Sequence, residues 1–415
     1  MHLLYIHQYF KFPDASDGTR SYDLAKSFVE KGMKVSIITS NLSTNYHSKD
    51  KWKRIEKEGL IIYSIDCPYN NNMSFYQRIK AFLSFLYSAS LKSLTIENVD
   101  VVLATSTPLT VAVPALVKKL FQRIPYVFEV RDVWPEVPIK MGFVKNPLLI
   151  KFLRYFEKLV YAKALAVVPL SVGMFQNITS RIKGLEDKMF IIPNISELDR
   201  FADFSKKIDF PFNVEGKKIL IYCGTLGTVN GLSYLVELAA KTIAIDRDVV
   251  YCIVGKGKEL EPVLALAEER GVLNKNFFYM GVVAKDELSY LYHVATVGSS
   301  FVINNPVLWD NSANKFFDTL AAHRPVVINH EGWQADVIRE YKCGFVLSER
   351  ITDDLALDFV RFMNDKEKLV AAGENAYQLA VDNYSLPIAV ANYMRIFGKL
   401  DLNKKSCTNI SQKPD

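Results

Sequence analysis

The stretch Asp310-Asn-Ser-Ala-Asn-Lys-Phe-Phe-Asp318 sets two carboxylates eight residues apart with a lysine, Lys315, between them. From Asn314 onward the pattern reads as a helix start. It runs on to His323-Arg324-Pro325 and the strand-like Val326-Val327-Ile328. The first amides of a helix and its dipole attract anions. Lys315 adds a full positive charge there, and Asp318 lies one turn further in. A cation beside helix-start amides suits a phosphate, and a nearby carboxylate suits a sugar hydroxyl. An ordinary capped helix with a solvated lysine and aspartate fits the same residues, so the surrounding elements must decide.

Those elements follow an alternating pattern. Residues 3–6 read as a first buried strand. A loop over 13–20, a helical period over 22–31 and a second strand over 35–39 follow it. This is the opening of a doubly wound sheet. Apolar runs at 60–65, 99–104, 126–130 and 165–168 continue it, and the pattern restarts after Pro193-Asn194. The polar segment 196–216 reads as a linker. Further runs at 219–222, 249–254, 277–279, 297–302, 326–328 and 345–346 form a second series. The expected fold class is α/β: two Rossmann-like doubly wound domains facing an interdomain cleft. The expected divisions are 1–197, 198–384, a terminal helix over 385–400 and a flexible tail over 401–415. Ligands of such sheets bind at the loops that follow strands.

The unusual residues fall in those loops. Asp17-Gly18-Thr19-Arg20 follows the first strand, with Gly18 either a turn glycine or an opening for ligand against the backbone. Cys223-Gly-Thr-Leu-Gly-Thr-Val-Asn-Gly231 is a phosphate-cradle candidate, although no Gly-Lys-Ser/Thr ends it. Gly255-Lys-Gly257 is half of a dinucleotide fingerprint, with Leu260 where a third glycine would stand. Gly281-Val282-Val283 is an apolar turn suited to lining a nucleobase pocket. Arg131-Asp132-Val-Trp-Pro-Glu136 sets an Arg-Asp pair at a strand end, either structural or reactive. The six histidines show no metal-ligand spacing, and no Gly-x-Ser-x-Gly elbow occurs.

Length and composition bound the rest. At 415 residues two domains are the default, and 23% charged with 49% hydrophobic residues indicates a folded chain. Residues 1–200 carry 27 Lys+Arg against 18 Asp+Glu, or +9, and the remainder 24 against 27, or −3. A basic first half points to an anionic partner. Two aromatic, basic, amphipathic stretches, from Ser74 to Tyr87 and from Asn146 to Val160, read either as docking helices for anionic lipid or as core helices. Five scattered cysteines read as reduced and structural. With no signal peptide and no long apolar run, the expected location is the cytosol, with peripheral contact at the membrane's inner face.

With these residues in place, the chain resembles the GT-B glycosyltransferases of family 4, in particular the bacterial O-antigen and capsule subgroup that includes fucosamine transferases. The resemblance covers residues 1 to about 400. It rests on Ile192-Pro-Asn194 with Asp199 and Phe201, then Gly224-Thr-Leu-Gly to Asn230-Gly231, Val254-Gly-Lys-Gly257 and Gly281-Val-Val, in order. The family's paired glutamates stand here as Asp310 and Asp318. The resemblance implies that Asp318 holds ribose hydroxyls and Asp310 the donor sugar, while Asn314 and Lys315 hold the diphosphate. The implied donor set also takes in Gly18, Arg20, Gly224, Thr225, Asn230, Gly255, Gly257, Val282, Val283, Asn311 and Ser312. The implied catalytic set is Asp132, Arg131, Glu136, Lys315 and Asp310. The implied reaction is retaining, without metal or cofactor. It moves a sugar such as N-acetyl-L-fucosamine from a UDP-linked donor to a lipid-diphosphate-linked saccharide, with no nucleic-acid partner. The chain departs from the family in lacking its histidine where Arg131-Asp132 stands and the Arg and Lys of the Gly224–Gly231 loop. His323 replaces a usual glycine. An epimerase of the same fold and a non-catalytic membrane-peripheral scaffold are the alternative readings, while the incomplete Gly255-x-Gly257 argues against a nicotinamide enzyme.

Overall fold

The structure is a computed structural model that describes residues 1–13, 18–40, 42, 51–67 and 75–408, apart from the side chains of 75–79, 81 and 400–408. The readings at Asp17 and Ser74 and those on residues 409–415 lie outside it. The chain divides into two compact units, Met1–Pro193 with Leu386–Asp415, and Asn194–Ser385.

The first unit is built on β1 (His2–Ile6), β2 (Lys34–Ser40), β3 (Trp52–Lys57), β4 (Leu60–Ile65), β5 (Val101–Thr105), β6 (Tyr126–Val130) and β7 (Ala166–Pro169). Their order is β3-β4-β2-β1-β5-β6-β7, parallel except for the antiparallel β3–β4 pair. Every residue of β1, β5, β6 and β7 is buried, as continuous apolar runs covered on both faces require. The direction of winding reverses between β1 and β5, so the crevice for a ligand opens at their carboxyl ends. The sequence reading does not anticipate β3. Its Trp-Lys-Arg-Ile-Glu-Lys has no apolar run, and the strand exists because β4 offers it an edge. Its charges then discourage any further strand from pairing there.

The helix Leu386–Thr408 packs on the helix Arg20–Glu30 of the same unit. Phe28 meets Tyr393 and Phe397 edge-on, at ring separations of 5.9 and 5.5 Å. Burying a side chain of this size contributes roughly 1.5–3 kcal/mol.

The second unit carries β8 (Lys218–Cys223), β9 (Val249–Val254), β10 (Phe277–Tyr279), β11 (Val297–Ser300), β12 (Val326–Ile328) and β13 (Gly344–Val346), all parallel, in the order β10-β9-β8-β11-β12-β13. Here the winding reverses between β8 and β11. The segment 196–216 is not a free linker. It contains the short helix Leu198–Ala202, and Phe201, Ile208, Phe210 and Phe212 pack on the outer side of β8–β10, with Phe212 and Phe278 rings 4.4 Å apart. Its aromatic residues are spaced without regular period and give no helix or strand signal, but their burial fixes the segment to this unit.

Candidate functional site

Strand order places the loops after β8 and β11 on either side of the reversal in the second unit. The loop after β11 leads through Asp310 into the helix Asn314–Ala321, which buries Phe316, Phe317 and Leu320. That anchoring fixes Lys315 and Asp318 on the opposite side. No side chain caps this helix start, whose N-cap residue is Ala313.

Lys315 reaches across the reversal to the β8 loop. A methyl group placed on Gly224 would come within 2.7 Å of its Cε, so glycine here makes room for the lysine to pass. The ammonium lies 5.0 Å from the centre of the Tyr222 ring. Burial lowers the lysine pKa to about 8, against the pull of Asp318 and Cys223 upward. Burial also raises the Asp318 carboxyl, opposed by Arg200, whose Nη2 donates to Asp318 Oδ1 at 2.6 Å.

The expected phosphate cradle is built differently from its sequence reading. The N–H groups of Gly224 and Leu226 are already used, donating to Val254 O at 2.9 Å and Lys256 O at 3.0 Å. Gly255 and Gly257 serve that same close approach. A Cβ on either would stand 2.0 Å from Gly224 O or 2.1 Å from Leu226 O. They lock the β9 loop to the β8 loop. Asn230 braces the loop through Nδ2 to Thr225 O at 2.9 Å, and Thr225 itself is exposed. Gly281 O accepts from Gly255 N at 2.7 Å, which leaves Val282 exposed beside this junction and Val283 partly packed on the core.

Around the Asp310 loop, several buried polar atoms have no hydrogen-bond partner among the described residues: Asn194 Oδ1, Arg200 Nε, Trp309 Nε1 and Ser312 Oγ. Asn194 Nδ2 donates to Ser312 O at 2.5 Å and Asn314 Oδ1 at 2.9 Å, holding the loop against the start of the unit. Asn311 O accepts from Trp333 Nε1 at 3.1 Å. Buried polar atoms are rarely left unpaired, so this cluster has the bonding capacity to accept a polar ligand. His323 has φ +55, the left-handed conformation that glycine usually supplies, and its ring stacks on Tyr377 at 3.5 Å.

In the first unit two expected site residues are corrected. Arg20 is not a cation waiting for a diphosphate. It is buried against Glu129, with Nε to Oε1 at 2.8 Å, and donates to Pro193 O at 2.5 Å and Ile192 O at 3.1 Å. Burial opposes the Glu129 charge, but Arg20 and Arg131 hold its carboxyl at about 2, with Thr105 and Tyr393 also donating to it. Glu136 is likewise buried and paired with Arg154 at 3.0 Å, so it cannot orient a substrate. Both are structural because a buried carboxylate must be matched where it sits.

Asp132 and Arg131 remain open to solvent in part. Asp132 Oδ2 accepts from Thr107 Oγ1 at 2.6 Å, and Arg131 N donates to Ser106 Oγ at 2.9 Å. Gly18 is exposed just ahead of the helix Arg20–Glu30. Sequence reasoning missed His7 and Gln8, which directly follow β1 at the reversal. His7 Nδ1 and Gln8 Nε2 are buried without a partner among the described residues. Burial, then Arg131, lowers the His7 imidazole to about 3, so it is neutral at working pH. The strand-end rule that found Arg131 would have found them. Arg200 and Asn194 were invisible as site residues because their partners lie more than 100 positions away.

Among the described residues no group of His, Cys, Asp or Glu could hold a metal ion, and no helix is long and apolar enough to cross a membrane. Cys67, Cys223, Cys252 and Cys343 are buried thiols that form no disulfide.

Comparison with known proteins agrees with this geometry. Residues 18–194 match a glycosyl transferase 4-like domain, and residues 203–379 match the glycosyl transferases group 1 family. Among curated proteins, an alpha-D-kanosaminyltransferase of Streptomyces kanamyceticus is 21% identical over 46% of this chain and 48% of its own length. A putative colanic acid biosynthesis glycosyl transferase of Escherichia coli, WcaI, is 32% identical over 22% of this chain and 23% of its own. The chain thus matches at most about half the length of either relative. Among solved structures, the sucrose-phosphate synthase of Thermosynechococcus elongatus aligns with a TM-score of 0.74 at 13% identity, covering 97% of this chain and 99% of that one. Anabaena HepE in complex with UDP-glucose aligns with a TM-score of 0.63 at 14% identity, covering 97% and 99%. One glycosyltransferase domain matched in each unit, on two parallel-sheet α/β units of this topology, means that the chain belongs to the glycosyltransferases of GT-B fold.

Proposed function

We propose that this protein transfers a sugar from a nucleoside-diphosphate donor, with uridine diphosphate the preferred carrier, to a lipid-diphosphate-linked saccharide in the assembly of a bacterial surface polysaccharide. The observation that carries the reading is Lys315 laid across Gly224 at the strand reversal, beside an uncapped helix start and a cluster of buried polar atoms without partners. A diphosphate supplies a counter-charge that offsets the burial of the Lys315 ammonium, and Asp318, with one oxygen held by Arg200, offers the other to a ribose hydroxyl. The HepE structures contain UDP, and the E. coli relative is named for colanic acid synthesis, which supports the carrier and the pathway class.

In the proposed reaction the bond from the sugar to the diphosphate breaks first, and its electron pair leaves with the phosphate oxygen. Lys315 and the amides of Asn314 stabilise that charge where it develops, without a metal ion. The acceptor hydroxyl then bonds the sugar on the face the diphosphate left and gives its proton to the departing phosphate oxygen, so configuration is retained and protonated nucleoside diphosphate is released. Asp132 orients that hydroxyl, and Asp310 and Asn311 hold the sugar. The resemblance to fucosamine transferases suggests an N-acetylated deoxyhexose. Incubation with nucleotide-sugars, with and without a prenyl-diphosphate-linked saccharide, tests the reading. Release of nucleoside diphosphate that rises with acceptor supports it. An isomerised nucleotide-sugar formed without acceptor would identify an epimerase instead.

A further inference from the structure

Three helices of the first unit, Phe75–Thr95, Ala112–Gln122 and Pro147–Lys163, lie side by side, the second packed against both others. Helices on a sheet normally turn their apolar stripe inward and leave polar residues outside. These carry a second apolar stripe outward. Leu148, Phe152 and Tyr155 follow helical spacing along the third helix and are 78%, 61% and 66% exposed. Leu83, Tyr87 and Leu91 repeat the spacing on the first helix, and Leu120 with Phe121 projects from the end of the second, all exposed. Phe143 stands exposed in the loop just ahead of the third helix. Large exposed apolar side chains gathered on three neighbouring helices are of the kind that marks an interaction surface.

Charge identifies what covers it. The three helices hold a single acidic residue, Glu157, and it is buried and bound by Arg181 at 2.7 Å. Exposed Lys151 and Lys158 flank the Leu148–Tyr155 stripe, and Lys145 and Lys163 stand at its ends. A second copy meeting this face would bring lysines together with no carboxylates between them. A lipid surface accepts the apolar side chains and offers anionic phosphates to the lysines at the same depth.

We infer that this face seats the protein on an anionic membrane, with Leu148, Phe152 and Tyr155 entering the acyl boundary and Lys151 and Lys158 held at the headgroup level. The core-helix alternative for the stretch from Asn146 fails for its first two turns, because the residues a core would claim point to solvent. The inference stands without the donor site, and it gives a lipid-linked acceptor a place to be met.

The test is flotation of the full chain with phosphatidylcholine vesicles with and without phosphatidylglycerol. Binding at least about tenfold stronger to the anionic vesicles is expected, weakening as salt rises. L148D/F152D should abolish it and K151E/K158E should reduce it. The unfolding midpoint of each variant in solution reports folding independently of any nucleotide, so a failed donor site does not confuse the result. Equal or absent binding to the two vesicles overturns the inference. So does a folded L148D/F152D that still floats, or a concentration-dependent dimer that the same variant breaks.

Discussion

Replacing Lys315 with methionine should make the unliganded protein more stable and its nucleotide binding weaker. Methionine keeps the stem that crosses Gly224 and packs on Tyr222 while removing the charge. Burial lowers the lysine from its ordinary 10.5 to about 8. That gap is worth at most about 3 kcal/mol against the charged amine in the fold. The penalty is fully present below about pH 8 and fades as pH rises toward 10.5, because only the unfolded chain keeps the proton in between. Urea unfolding of the wild type should therefore show stability rising across this window by up to that amount, and Lys315→Met should remove the rise. A bound diphosphate reverses the balance, since it favours the ammonium. Near pH 8.5 nucleotide binding should take up a fraction of a proton, measurable by titration calorimetry in buffers of different ionisation heat. The variant should bind without that uptake and lose at least tenfold in turnover, since one such stabilising group contributes about 2.7–4 kcal/mol to the barrier. A variant less stable than wild type near neutral pH, or one with unchanged affinity and turnover, would refute the reasoning.

Arg20→Met should cost about 3–5 kcal/mol in urea unfolding by stranding Glu129, while nucleotide affinity of the folded fraction stays unchanged. Weakened nucleotide binding with normal stability would restore Arg20 to the donor site. Because the Glu129 carboxyl is held at about 2, below its ordinary 4.5, its contribution is present above the ordinary value. It should be lost as acid titration carries the pH down through about 2. Gly257→Ala should displace the β8 and β9 loops, because the new Cβ would stand 2.1 Å from Leu226 O. Nucleotide-dependent stabilisation should vanish with the circular dichroism spectrum retained, and normal binding would contradict the role given to that contact. The wild-type His7 imidazole should show no NMR titration between about pH 5 and 8, because burial and Arg131 lower it to about 3. A midpoint near 6.5 would place the ring in solvent and remove it from the site.

Buried parallel strands were the most legible part of the chain. Residues 126–130 and 249–254 are continuous apolar runs, and β6 and β9 occupy those bounds because both faces of each strand are covered. β3 was not legible, since an edge strand needs only a partner's backbone and its charged sequence carries no run. The site divides in the same way. Lys315, Asp318 and the glycines follow strands and helix starts, where spacing along the chain carries the signal. What each does depends on residues far away in sequence. Gly224 reads as a phosphate contact until its N–H is seen to be used by Val254 and its open side filled by Lys315. Arg20 and Glu136 read as free charges because nothing local announces Glu129 or Arg154 as partners. Burial and long-range pairing decide whether a charge is available, and neither is written in a local pattern.

The proposed function rests on a nucleoside diphosphate bound at the Lys315–Gly224 junction. Thermal unfolding of the wild type and Lys315→Met with uridine, UMP, UDP and other nucleoside diphosphates tests it most directly. The wild type should show stabilisation that grows from nucleoside to diphosphate, approaching about 2.7 kcal/mol at a hundredfold excess over the dissociation constant. In Lys315→Met the gain from the second phosphate should be largely lost. No stabilisation by any nucleoside diphosphate, or an equal gain in the variant, would contradict it.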